Sequence, residues 1–154
     1  MAASSLERKL ERISWIIEEL KDETSRGALL VVEGEKDAEA LKSIGIECNI
    51  FTIKSFGRNL QDVVDEIGWF SDREIILLMD FDRRGRELTR RLAQSLERMR
   101  VKFDLNFWKE LSSLLNNELK DVEGLAKYIE TLRRKVGRNP YNPIWSGDGC
   151  LQTS

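Results

Sequence analysis

ALLVVEG, residues 28–34, is an unbroken apolar run that ends in a glutamate and a glycine. Such a run is typical of a short β-strand that is covered on both faces. Ala38, Leu41 and Ile44 then recur at helical spacing, and Gly45 follows them. We therefore predict a buried strand followed by a helix, which is the beginning of a βαβ unit.

The same alternation of strands and helices continues to residue 107. Further strands are predicted over residues 47–53, 74–79 and 101–107, and helices with apolar residues at helical spacing lie between them. Strands that alternate with helices indicate a mostly parallel sheet. The sequence therefore predicts an α/β fold with a four-stranded sheet, in which the doubly wound order 2-1-3-4 would make the first and third strands neighbours.

An amphipathic helix is predicted before this region. Ser4 and Glu7 form a capping box at the start of a helix over residues 5–25. Its apolar stripe consists of Leu6, Leu10, Ile13, Ile17 and Leu20. The stripe either docks the helix on its own domain or forms a contact with a second copy of the chain or with another protein.

Four segments make up the predicted organisation. Residues 1–26 form the amphipathic helix, residues 27–107 the α/β domain, and residues 108–138 C-terminal helices that pack on it. Residues 139–154 are rich in Asn, Pro, Gly and Ser, which indicates an extended or flexible tail. This tail is a second place where a homodimer or a protein partner could make contact.

Composition excludes several classes of mechanism. The chain has 154 residues and no histidine, so no mechanism that depends on an imidazole is open to it. Its two cysteines, Cys48 and Cys150, do not have the spacing of a zinc site or a redox pair. No stretch resembles a signal peptide or a membrane span, so we expect a cytoplasmic protein without a membrane partner.

Carboxylates follow two of the predicted strands. Glu33 follows the first strand, and Asp80 and Asp82 follow the third. Ligands of open α/β sheets bind beyond the carboxyl ends of the strands, and a period of two would point Asp80 and Asp82 to the same side. Three carboxylates in one crevice repel one another unless a cation lies between them. Without His or Cys ligands, such a site favours Mg²⁺ or Mn²⁺ over zinc.

A basic strip follows these acids. Between Arg83 and Lys102 there are eight basic and two acidic residues, although the whole chain has a net charge of −2. The residues that we expect to bind nucleic-acid phosphates are Lys54, Arg58, Arg83, Arg84, Arg86, Arg91 and Arg98. The alternative is that the arginines form an ordinary solvated helix face and that the loop around Lys54 is only a structural turn.

Two glycines fit a phosphate site. Gly34 would let the backbone turn sharply and a substrate come close. Gly85 lies near the start of the basic helix, where free backbone N–H groups would hold a phosphate.

Two stretches resemble the motifs of the Toprim domain, which is shared by topoisomerases, bacterial-type primases, OLD-family nucleases and ribosomal-RNA maturation nucleases. They are VVEGEKDAEAL, residues 31–41, and ILLMDFDRRG, residues 76–85. Toprim proteins carry a Glu-Gly after the first strand and an Asp-x-Asp-x-x-Gly after the third. The resemblance covers about residues 27–107, is closest to the small stand-alone Toprim proteins of archaea and bacteria, and implies a Rossmann-like domain with added helices.

The resemblance also implies roles for individual residues. Glu33 would be a general acid/base or a metal-bridging residue, and Asp80 and Asp82 would be Mg²⁺ ligands. Asp37 matches a position with a supporting role, beside the motif glycines Gly34 and Gly85.

Metal-dependent cleavage of RNA or DNA is the activity that the resemblance leaves open. Topoisomerases need a tyrosine in a separate domain, and primases need a zinc module and a further catalytic region, for which the chain is too short. One alternative is a nucleic-acid or ribonucleoprotein binding module without turnover. The other is a hydrolase of small phosphate esters, whose Asp-x-Asp-x-Thr motif would start at Asp80 but meets an arginine at position 84.

Overall fold

The chain alternates strands and helices and then adds two helices. A computed structural model describes residues 4–54, 59–115 and 118–137. The elements are α1 (Ser5–Ser25), β1 (Leu29–Val32), α2 (Glu35–Ser43), β2 (Ile50–Thr52), α3 (Leu60–Gly68), β3 (Ile75–Leu77), α4 (Arg83–Arg98), α5 (Asn106–Leu115) and α6 (Leu125–Gly137).

β1 is the central strand of a parallel sheet with the order β2-β1-β3. In the register of the pairing, Val31 lies opposite Phe51 of β2 and Leu77 of β3. The prediction that the first and third strands are neighbours is therefore confirmed. Because the strands are parallel, the residues that follow β1 and β3 lie at the same edge of the sheet.

The predicted fourth strand over residues 101–107 is wrong. This segment reaches β3 through one bridge between Ile76 and Asp104. The Asp104 side chain then accepts a hydrogen bond from the Asn106 N–H at 2.7 Å, and α5 begins at Asn106. Because an aspartate that binds the backbone N–H two residues on favours a turn, the chain leaves the sheet after a single bridge. The sheet within the described residues has three strands.

Helices cover both faces of the sheet, and the alternation of side chains along β1 divides the interior into two cores. Leu30 and Val32 lie in a first core with buried residues of α1, α2, α5 and α6. Leu29 and Val31 lie in a second core with buried residues of α3 and α4. Both faces of β1 are therefore buried, as its unbroken apolar run predicts.

Most of the apolar stripe of α1 is used within the chain. Ser4 caps the helix by accepting a hydrogen bond from the Glu7 N–H at 3.1 Å. Leu10, Ile13 and Leu20 are fully buried in the first core, whereas Leu6 is exposed. The helix thus docks on its own domain, and a partner for it stays a prediction. The predicted tail over residues 139–154 lies outside the described residues.

In the part of the chain that the structure describes, no helix combines the length and the apolar character needed to cross a membrane.

We expect Leu10→Ala to lower the free energy of unfolding by about 2–5 kcal/mol, because truncation of a buried leucine removes apolar burial and leaves a cavity. Leu6→Ala makes the same chemical change at an exposed position of α1 and should cost less than about 0.5 kcal/mol. Urea unfolding followed by circular dichroism measures both values. Equal losses would contradict the docking of α1.

Candidate functional site

Glu33 is a buried carboxylate at the carboxyl end of the central strand. Its carbonyl accepts a hydrogen bond from the Lys54 N–H at 2.8 Å, and only 4% of the residue is exposed. Its Oε2 atom accepts a hydrogen bond from the Asp80 backbone N–H at 2.9 Å, and its Oε1 atom lies 3.9 Å from Lys54 Nζ. The side chain therefore bridges the segments that follow β1 and β3.

Asp80 lies against Glu33. The Asp80 N–H donates to Glu33 Oε2, and Asp80 Oδ1 accepts a hydrogen bond from the Val122 N–H at 3.0 Å. Burial, the hydrogen bond with Glu33 and the charges of Glu33 and Asp37 raise the pKa of Asp80 to about 7, and the Val122 N–H opposes this rise. Asp80 therefore keeps its proton to a higher pH than an isolated aspartate does.

Asp37 holds the turn between β1 and α2. Its Oδ2 atom accepts a hydrogen bond from the Gly34 N–H at 3.1 Å, and the carboxylate also accepts one from the Glu123 N–H. Burial, with a smaller contribution from the charge of Glu33, raises the pKa of Asp37 above its usual value. Asp37 is therefore a third partly desolvated acid beside the Glu33–Asp80 pair.

Asp82 contacts a different part of the molecule from Asp80. Its side chain caps α4 by accepting a hydrogen bond from the Gly85 N–H at 2.7 Å. Asp80 instead binds the backbone of Val122, whose side chain lies in the first core. The alternation of β3 ends at Phe81, which lies in the first core as Leu78 does, and the prediction that Asp80 and Asp82 point to the same side stays a prediction.

The two glycines of the motifs have different roles. A Cβ atom at Gly85 would lie 2.1 Å from the Asp80 carbonyl oxygen, so α4 can approach the backbone of Asp80 only with glycine there. The sequence predicts that backbone N–H groups near Gly85 hold a phosphate. The Gly85 N–H itself is not free to do so, because it donates to Asp82. At Gly34 the φ angle is −144° and a Cβ atom would lie 3.8 Å from Lys54 Cδ, so the backbone there does not require glycine.

The acids meet the requirements of a metal site only in part. Among residues 4–54, 59–115 and 118–137, no group of three or more His, Cys, Asp or Glu side chains is arranged to hold a metal ion. The Glu33–Asp80 pair still fits a hard divalent cation, because it brings the oxygens of two desolvated carboxyl groups together. Mg²⁺ commonly takes one or two carboxylates and keeps several waters. A site that also includes Asp82 stays a prediction.

A cavity of about 380 Å³ lies between Glu33 and the first half of α4. Its lining consists of Glu33, Arg83, Arg84, Glu87, Leu88 and Arg91. Size does not single it out, since cavities of about 690 and 660 Å³ lie around Arg73 and Glu74 at the opposite edge of the sheet. The smaller cavity differs in its chemistry, because a buried carboxylate and three guanidinium groups line it together.

Most of the predicted phosphate-binding residues lie near this cavity. Within the described residues, Arg84, Arg91 and Arg98 have no carboxylate at ion-pair distance, whereas Arg90 is paired with Glu87 at 3.2 Å from Nε to Oε2. Of the other predicted residues, Arg83 lines the cavity and Lys54 lies beside Glu33. Arg86 donates its Nε–H to the Phe81 carbonyl at 3.4 Å. Arg58 lies outside the described residues. Three unpaired arginines on one helix are suited to bind phosphates.

The C-terminal helices contribute contacts that the sequence did not reveal. Besides the N–H groups of Val122 and Glu123, the Trp108 indole N–H donates to the Asp80 carbonyl at 3.3 Å. Backbone N–H groups carry no residue-type signal, so no motif could have identified Val122 or Glu123. Trp108 could have been identified only as a candidate for burial.

Two relatives of the chain come from methanogenic archaea. A UPF0292 protein of Methanosarcina barkeri is 35% identical over 132 residues, which cover 84% of this chain and 89% of that protein. A UPF0292 protein of Methanocaldococcus jannaschii is 32% identical over 119 residues, which cover 77% of this chain and 91% of that protein.

A solved structure and a family model are also similar to this chain. The structure, a protein from Aquifex aeolicus, has a TM-score of 0.58 and 30% sequence identity, and the match covers 71% of this chain and 94% of that chain. The family model described as the Toprim domain matches residues 28–105, a range that contains Glu33, Asp37, Asp80 and Asp82. The chain therefore belongs to the Toprim domain family.

Proposed function

We propose that this protein uses a divalent cation, Mg²⁺ or Mn²⁺, to cleave phosphodiester bonds of RNA or DNA. The observation that carries the proposal is the cavity in which Glu33, hydrogen-bonded to Asp80, faces Arg83, Arg84 and Arg91. A phosphodiester there would meet cation-binding oxygens on one side and guanidinium groups on the other. Membership of the Toprim family supports a function connected with metal ions and nucleic acids.

The Glu33–Asp80 pair is the proposed place of the cation. The cation would neutralise the pair and polarise a phosphate oxygen. The Val122 N–H holds Asp80 and the Asp80 N–H holds Glu33, so both carboxylates are positioned in advance. In this proposal Glu33, whose Oε1 faces Lys54, exchanges a proton with the reacting phosphate ester.

The arginines of α4 would hold the phosphates beside the one that reacts. Arg84 and Arg91 have no ion pair to break within the described residues, and a guanidinium group can bind a phosphate through two parallel N–H···O bonds. Asp82 fixes the first turn of α4, from which Arg83 and Arg84 project. In this proposal Asp82 is a positioning residue, and its role as a direct cation ligand stays a prediction.

A nucleic-acid binding module without turnover is the second candidate. The observation that favours it is that no group of three acids is arranged around an ion within the described residues. Such a module would use the same arginines but would not depend on Glu33. A hydrolase of small phosphate esters has less support, because its nucleophile, Asp80, is engaged by both Glu33 and Val122.

Glu33→Gln should slow Mg²⁺-dependent cleavage by about 10²- to 10⁴-fold, because it removes the proposed proton-exchanging oxygen. The measurement is the cleavage rate of labelled single-stranded and structured RNA and DNA in excess Mg²⁺. Glu39→Gln makes the same change at an exposed position of α2 and should keep the wild-type rate. Unchanged cleavage in Glu33→Gln would contradict the proposed site, and binding without cleavage by the wild type would favour the second candidate.

Asp80→Asn should change how stability depends on pH. Between about pH 4 and pH 7 the folded wild type keeps the Asp80 proton that the unfolded chain has lost, so its free energy of unfolding falls as pH rises. Asparagine has no such proton, and it can accept from the Val122 N–H and donate to Glu33. Without metal at pH 8, we expect the variant to be more stable by about 1–2 kcal/mol, discounted for the partial exposure of Asp80.

Urea unfolding at several pH values, with and without Mg²⁺, measures these effects. Part of the pH dependence should remain in the variant, because a hydrogen bond with Glu23 and burial raise the pKa of Glu74 to about 7. Mg²⁺ at about ten times its Kd should stabilise the wild type by about 1.4 kcal/mol and Asp80→Asn by much less. A wild type whose stability ignores saturating Mg²⁺ and Mn²⁺ would count against the cation site.

Replacement of Arg84, Arg91 and Arg98 by Gln should flatten the salt dependence of binding to single-stranded nucleic acid. Each phosphate contact contributes about −0.7 to the slope of log affinity against log salt, so three lost contacts should reduce the slope by about 2. Arg90→Gln is the control, because Glu87 already neutralises Arg90. Fluorescence anisotropy over a range of salt concentrations gives the slopes, and an unchanged slope would exclude this face of α4.

A further inference from the structure

Trp69 is an exposed indole held on a fixed backbone. Solvent reaches 73% of the residue. The backbone N–H of Trp69 donates to the Glu66 carbonyl at 3.1 Å and closes the last turn of α3. Trp108, in contrast, packs against the first core and donates its indole N–H to Asp80. An indole offers one of the largest apolar surfaces of any side chain, and the described elements leave most of this one uncovered.

Trp69 lies beside the end of α4 that is farther from the acids. α3 and α4 pack in the second core, and a Cβ atom at Gly68 would lie 3.4 Å from Met99 Cε and 4.0 Å from Val101 Cγ2. The segment after α4 is thus in contact with the residue that precedes Trp69. Because Asp82 caps the other end of α4, a single helix connects the candidate active site with the exposed indole.

One flank of α4 carries positive charge that no carboxylate pairs with among the described residues. Arg84, Arg91 and Arg98 are seven residues apart, which places them on the same side of the helix. Arg84 and Arg91 line the cavity with Glu33, and Arg98 directly precedes Met99. At about 1.5 Å per residue, the helix rises about 21 Å from Arg84 to Arg98. We call these three residues the arginine track.

We propose that a single strand of nucleic acid lies along the arginine track and stacks one of its bases on Trp69. The inference rests on the proposed function in one respect, that nucleic acid is the ligand. The track supplies the charge that phosphates require, and stacking on an aromatic side chain requires a base that is not held inside a duplex. The surface therefore favours single strands over double strands.

The length of the track sets the length of strand that can use both ends. A stacked strand rises about 3.4 Å along its axis for each phosphate, so about six phosphates cover the distance from Arg84 to Arg98. A trinucleotide bound at the cavity is too short to reach Trp69, whereas a dodecamer is long enough. The contribution of Trp69 should therefore depend on the length of the strand.

Trp69→Ala should weaken binding of a single-stranded dodecamer by roughly five-fold to a hundred-fold, the range expected for the loss of one stacked base. The same variant should bind a trinucleotide and a duplex of the same sequence like the wild type, and Trp69→Phe should keep most of the affinity. Trp15→Ala is the matched control, because Trp15 is 59% exposed but lies on α1, on the other face of the sheet. Anisotropy of labelled oligonucleotides in EDTA measures binding without cleavage.

The outcomes separate this inference from the proposed function. A loss specific to Trp69 and to the long single strand supports the stacking surface, whether or not the wild type cleaves. Equal binding by Trp69→Ala and the wild type, or an equal loss in Trp15→Ala, would overturn it and leave the proposed function standing. No binding of any oligonucleotide by the wild type in EDTA would overturn the inference, and no binding with Mg²⁺ present either would also overturn the proposed function. If Trp69→Ala changes the self-association of the protein in sedimentation but leaves oligonucleotide binding unchanged, Trp69 belongs to a protein contact and the inference is also overturned.

Discussion

Two acidic residues, the buried Glu33 and the half-buried Asp80, lie side by side at the carboxyl ends of β1 and β3. They meet because β1 and β3 are parallel neighbours, so that Glu33 Oε2 can accept the Asp80 N–H at 2.9 Å. Placing two acids together in a buried position costs electrostatic free energy. Burial and the neighbouring Glu33 raise the pKa of Asp80 to about 7, and in the proposed function a cation offsets this cost. The chemistry of the site thus depends on the order of the strands.

The segment between α5 and α6 belongs to the same arrangement. Its Val122 N–H binds the Asp80 carboxylate, and its Lys120 carbonyl accepts the Phe81 N–H at 2.7 Å. Glu118 connects this segment to α1 through an ion pair with Lys9, and Glu118 also accepts a hydrogen bond from the Tyr128 hydroxyl at 3.0 Å. The position of Asp80 therefore depends on residues from both ends of the described chain.

The sequence allows prediction of those parts of the fold and site that depend on local pattern. The buried strands and the neighbouring positions of Glu33 and Asp80 follow from apolar runs and from parallel topology. The position of Phe81 does not, because alternation along β3 would place it in the second core with Leu77 and Met79, whereas it lies in the first core. The absence of a fourth strand is also not predictable, because the chain turns away from the sheet where the Asp104 side chain accepts the Asn106 N–H. The contacts of Val122 and Glu123 involve backbone atoms brought in by tertiary packing, for which no residue type is diagnostic.

The two-sided burial of the sheet has a consequence for where this domain can be cut. The range that matches the Toprim domain, residues 28–105, excludes α1, α5 and α6, which supply most of the helical side of the first core. A fragment trimmed to that range would retain only α2 on that face and would expose Leu30, Val32 and Ile76 to water. A contiguous apolar surface of this kind favours aggregation. In this chain the range that matches the Toprim domain is smaller than the set of helices that bury the sheet.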